Sequence, residues 1–161
     1  MIQPTNLLDQ AAQLQQALRD HVAQARPQNL WRYSAVAQHY QKVANARQSG
    51  HQLAYINFAS IPELFWAMDI VPVSADAVTT FSTSTPQGAL GYIDAAEEYL
   101  PDYLCSSNKI AFGAMLKGDL PKPDMIVTPS APCDAPLASY AMLAHHMDVP
   151  YFSMDIPYLR N

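Results

Sequence analysis

Cys105 and Cys133 are the only two thiols in a chain of 161 residues. Each stands just ahead of a stretch with helical character, and Cys133 also follows a short apolar run. A helix N-terminus presents free N–H groups and the positive end of the helix dipole, so a thiolate placed there is stabilised. Ser106, Ser107 and Asn108 follow the first cysteine and Asp134 follows the second, and all are suitable caps. The separation of 28 residues is too long for the Cys-x-x-Cys loop of a zinc ribbon or thioredoxin-type centre. Two ligands are also too few to close a metal site. The residues alone leave three roles open: small core hydrophobes, ligands of a metal or cluster, or a catalytic pair.

Other candidates are weaker. Ser60 and Glu63 fall where a predicted strand passes into a helix, the edge at which open α/β sheets bind ligands. Their three-residue spacing equally describes a capping box. Thr79 to Gly88 is rich in hydroxyls and reads as a loop, either solvated or lining a pocket. His145 and His146 end a predicted helix, where a cation suits the dipole, and they read as structural. Met115, Met142 and Met147 read as core fillers. There is no G-x-G-x-x-G turn, phosphate-binding loop or G-x-S-x-G elbow, so the chain itself is not expected to bind ATP.

The elements that must position these residues follow from periodicity. Leu7, Ala11, Leu14, Leu18, Val22 and Ala25 recur at helical spacing, with Thr5 or Asn6 as cap and Pro27 as stop. A second helix is predicted from Leu30 to Arg47, closing at Ser49-Gly50, with Trp31, Tyr33 and Tyr40 available for packing. Residues 1–50 therefore read as a helical arm and residues 51–161 as an α/β domain. Strands are predicted over Leu53–Phe58, Ile70–Ala75, Asp124–Ser130 and Pro150–Ile156. Helices are predicted over Ile61–Asp69, Tyr92–Leu100, Ser107–Leu116 and Ala135–Met147. Strands alternating with helices of about ten residues imply a parallel sheet wound on both faces. The chain reaches Asn161 soon after its last strand, so that edge is expected to be covered by another chain or by more of a longer polypeptide.

Half of the residues are hydrophobic and 14% are charged, which suits a globular domain. The net charge of -5, with nine scattered basic residues, argues against a nucleic-acid partner. No run approaches the ~18–20 apolar residues of a membrane span. The N-terminus lacks a secretory pattern, so a cytoplasmic location is expected. In that compartment the two cysteines are not expected to form a stable disulfide.

Four blocks carry a further signal: "SIPELFWAMDIVPV" (Ser60 to Val73), "CSSNKIAFGAMLKGDLPKPDMIV" (Cys105 to Val127), "CDAP" (Cys133 to Pro136) and "VPYFSMDIPY" (Val149 to Tyr158). In order and spacing they resemble the first domain of the 2-hydroxyacyl-CoA dehydratase and benzoyl-CoA reductase family. The resemblance implies a flavodoxin-like fold and a [4Fe–4S] cluster, for which Cys105 and Cys133 are the first two of three cysteine ligands. It implies that Ser60 and Glu63 face the substrate. It implies a related α/β subunit or second domain, and an ATP-dependent iron–sulfur activator that delivers single electrons. The substrate is then an acyl-CoA thioester, reduced to a ketyl-type radical that loses a hydroxyl or passes an electron into an aromatic ring. The third cysteine is absent from this sequence, so a cluster held by this chain alone is incomplete. The competing reading is a cluster-free α/β scaffold that serves assembly.

Overall fold

Four short apolar runs pair into one parallel sheet in the computed structural model, which describes residues 6–83 and 86–157. The strands are β1 (Gln52–Ile56), β2 (Ile70–Ser74), β3 (Met125–Pro129) and β4 (Tyr151–Met154), in spatial order β2-β1-β3-β4. Every pairing is parallel, with Tyr55 opposite Val73 and Ile126, and Val127 opposite Phe152. This is the flavodoxin-like order, in which the chain turns in opposite directions on leaving β1 and β3.

Side chains alternate between the faces of a strand. Leu53, Tyr55, Val71, Val73 and Ile126 enter the main core, which also takes residues from α1 (Leu7–Ala25), α4 (Ala75–Ser82), α6 (Ser106–Leu116) and α7 (Asp134–Met147). Ala54, Ile56, Ile70 and Val127 form a smaller cluster on the other face with Phe65 of α3 (Pro62–Ala67). The helix α5 (Pro86–Glu97) packs on α6 so closely that Gly113 abuts the backbone of Tyr92.

The N-terminal helices match their periodicity. Asn6 caps α1 by accepting from the N–H groups of Leu8 and Asp9. A short 3-10 turn (Pro27–Asn29) leads into α2 (Leu30–Asn45). Leu7, Leu8, Ala11, Val43 and Ala46 are buried in the main core, so the two ends of this hairpin are anchored on the sheet. Tyr40 packs against Phe81, whereas Trp31 stays 71% exposed.

One expectation is overturned. The stretch Thr79 to Gly88 is not a loop: its first residues complete α4 and its last begin α5. Thr79 Oγ1 donates to Ala75 O at 2.7 Å and Thr83 Oγ1 to Thr79 O at 2.8 Å. Hydroxyls that bond back one turn are satisfied inside a helix, so a Ser/Thr-rich composition did not require a loop. Ser84 and Thr85 lie outside the described residues.

Candidate functional site

Three helix N-termini meet at the carboxyl edge of the sheet. α4 follows β2 directly and α7 follows β3 after the loop Ser130–Pro132, which contains a cis Ala131–Pro132 bond. α6 is tied in from the side: Ser107 Oγ lies 2.6 Å from Thr80 Oγ1 and donates to Asp76 O at 3.3 Å. Asn108 Oδ1 accepts from Ser139 Oγ of α7 at 3.2 Å.

Cys105 and Cys133 are themselves the N-cap residues of α6 and α7. Ser106 and Asp134 stand one position later, as the first helical residues, which corrects the capping roles expected of the residues after each cysteine. Neither helix has a side-chain cap, so first-turn N–H groups remain available to a ligand. Both thiols are free and exposed, which excludes the role of buried core hydrophobe. Among the described residues no group of three or more His, Cys, Asp or Glu gathers as a metal site.

Ser60 and Glu63 occupy the turn after β1 and the first turn of α3. Their capping box does not form: Ile61 is the N-cap and no side chain caps the helix. Ser60 Oγ is buried without a hydrogen-bond partner and lines a cavity of about 220 Å³ with His39, Asn57, Trp66 and Ser74. Glu63 is exposed. The His39 imidazole stands edge-on to Trp66, and burial, then the nearby Lys42 charge, holds it below its usual value and therefore neutral at neutral pH. Phe58 lines both this cavity and a second, about 370 Å³, bounded by Asp76, Thr80, Phe81 and Ser107.

A buried polar network, missed in the sequence, braces this edge. Asp76 is 3% exposed, and its carboxylate accepts from Asn57 Nδ2 (3.1 Å), Ser74 Oγ (2.5 Å), Ala77 N (3.1 Å) and Tyr140 OH (3.0 Å). The Tyr140 hydroxyl also lies 3.2 Å from Ile56 O and accepts from Asp76 N at 3.1 Å. Burial, followed by the Asp76 charge, pushes Tyr140 well above the usual tyrosine value, so it remains a donor. The end of β1, α4 and α7 are thereby locked together. The available signal was Asp76 itself, an acid directly after an apolar strand, but only the fold supplies its partners.

Lys109 was missed as well. It lies in the first turn of α6, 4% exposed, and its ammonium donates to Glu97 Oε1 at 2.5 Å and Asp102 O at 2.7 Å. This pair fixes the segment that leads into Cys105. A lone charge in the apolar run "KIAFGAML" was its signal. His145 and His146 end α7; His146 packs on Tyr99 and Phe112, consistent with a structural role.

A family model described as 2-hydroxyglutaryl-CoA dehydratase, D-component, matches residues 60–161, well over half of the chain. The chain belongs to this family. The D-component match begins at Ser60 and takes in both cysteines and Glu63, while the α1–α2 hairpin lies outside it. No curated protein matches the chain. Among the described residues no helix is long and apolar enough to cross a membrane.

Proposed function

We propose that this D-component chain supplies Cys105 and Cys133 as two thiolate ligands of a [4Fe–4S] cluster in a 2-hydroxyacyl-CoA dehydratase. The supporting observation is the pairing of two exposed thiols at the uncapped N-termini of α6 and α7, helices joined by the Ser139–Asn108 hydrogen bond from the second turn of α7 to the first turn of α6. That donor set fits an anionic iron–sulfur group, because thiolate charge is stabilised by free N–H groups and helix dipoles. The remaining ligands come from a related α/β subunit or a second domain. Phe152, 62% exposed on an edge strand of a parallel sheet, supports such a neighbour, since parallel sheets are normally covered on both faces.

When bound, the cluster supplies single electrons, delivered by an ATP-dependent activator. The residues of this chain bind and orient the acyl-CoA. Ser60 Oγ, buried and unpaired, is available to hydrogen-bond the substrate in the cavity after β1. Glu63, exposed at the start of α3, offers a carboxylate to hold a proton of the substrate. Phe58 and Phe81 give the second cavity an apolar lining that suits the uncharged part of the substrate. The matched family favours dehydration over ring reduction.

Iron and acid-labile sulfide, measured on protein purified without oxygen together with its copurifying partners, test this reading. About four irons per assembled unit are expected, lost in Cys105→Ala and in Cys133→Ala. An iron-free intact assembly would leave the chain as a scaffold.

A further inference from the structure

The α1–α2 hairpin continues past the sheet. His39 of α2 is level with the carboxyl edge, because it shares a cavity with Asn57 and Ser74. Arg32 lies seven residues earlier, about 10 Å farther out at the helical rise of ~1.5 Å per residue. The hairpin is therefore a wall standing beside the ligand-binding edge.

Between its helices and α4 is a third cavity of about 420 Å³, within the size range of small-molecule sites. It contains a polar group that the fold itself does not use. Gln15 is 7% exposed, yet its carboxamide has no hydrogen-bond partner among the described residues. Its polar atoms are open to the cavity, so a ligand there can supply their partner. Arg32 lines the same cavity and has no carboxylate within ion-pair distance among the described residues; its guanidinium rests 5.8 Å from the Trp31 ring. In a chain of net charge -5, an unpaired arginine beside an unpartnered amide and the Tyr33 ring selects an anion with a planar, hydrogen-bonding part. The cavity is not isolated. Phe81 lines both it and the 370 Å³ cavity at Ser107, two residues from Cys105.

We propose that the cleft lined by Gln15, Arg32 and Tyr33 binds the phosphorylated adenosine end of the CoA thioester, with the pantetheine arm passing Phe81 toward Ser107. Arg32 pairs with a phosphate, the Gln15 carboxamide meets the adenine edge, and the apolar cavity beyond takes the uncharged arm. This assignment rests on the acyl-CoA reading of the site.

Calorimetric titration of the chain with CoA, 3′,5′-ADP, ATP and pantetheine tests it, because none of these probes requires a cluster. CoA and 3′,5′-ADP are expected to bind, and Arg32→Gln to weaken both by tenfold or more. Gln15→Leu is expected to weaken both as well, with pantetheine unaffected by either change. Unaltered melting temperature of Arg32→Gln, an exposed position, shows that folding is intact. Equal CoA affinity in wild type and both variants would overturn the assignment while leaving the acyl-CoA reading standing. Equal binding of ATP and 3′,5′-ADP would overturn it in favour of a general nucleotide cleft. A wild-type chain that binds none of the CoA probes would overturn the assignment and the substrate reading together.

Discussion

Lys109 and Glu97 show how much depends on which member of a pair is buried. The lysine side chain is 5% exposed and the glutamate 36%, so removing one partner differs from removing the other. Glu97→Ala strands a desolvated ammonium that keeps only the Asp102 carbonyl. Lys109→Met replaces the buried charge with an apolar chain of similar length and leaves Glu97 free to hydrate. Glu97→Ala is therefore expected to cost more in urea unfolding than Lys109→Met. Both should fall below the ~3–5 kcal/mol of a fully buried pair broken on one side. The opposite order would mean that the lysine holds the segment before Cys105 chiefly by packing. Asp76 differs, because four donors from three segments converge on one carboxylate. It ties the first turn of α4 to the end of β1 and to the second turn of α7.

At the scale of elements, α5 and α6 are held by an approach that only glycine allows. A Cβ built on Gly113 would lie 1.9 Å from Tyr92 O, a backbone atom in the facing helix. Gly113→Ala must push α5 away from α6, and a loss of about 1–3 kcal/mol is expected by the usual cost of overpacking. Denaturant midpoints at unchanged m-value would check it. The same change at Gly91 meets only the flexible Lys117 ammonium, at 3.1 Å, and is expected to be much milder. Helix α4 carries a different lesson. The composition of Thr79 to Thr83 favours a turn, yet Val78 and Thr79 are buried against the core, and tertiary burial outweighs local preference.

For the whole molecule, three tyrosines make stability sensitive to alkali. Tyr92 is raised to about 12, first by burial and then by its hydrogen bond to Asp119 and the charge of that residue. Tyr55 and Tyr140 are raised well above their ordinary value, chiefly by burial. A raised folded-state value means that the neutral phenol is favoured in the fold. That stability is fully present below the unfolded value near 10 and is lost as pH rises through the folded value. Unfolding free energy is therefore expected to fall between pH 10 and about 12, with a shallower fall in Tyr92→Phe. A flat profile over that range would show that the phenols ionise without opposing the fold.

Sequence alone determined the alternation of strands and helices, the parallel sheet, the α1–α2 hairpin and the placement of both cysteines at helix starts. These are local matters, written in apolar periodicity, caps and prolines within a few residues of each site. It also carried the family resemblance, because the blocks from Ser60 onward keep their order and spacing. Only the tertiary structure decided what those residues meet. It made Cys105 and Cys133 the N-caps themselves, and it left Ser60 Oγ buried and unpaired where a capping box was expected. It assembled the Asp76 network from residues as far apart as Asn57 and Tyr140, and it set Gln15 and Arg32 around one cavity. Partners separated by tens of residues leave no periodic trace. Their meeting is fixed by how helices dock on the sheet, a consequence of packing the whole core.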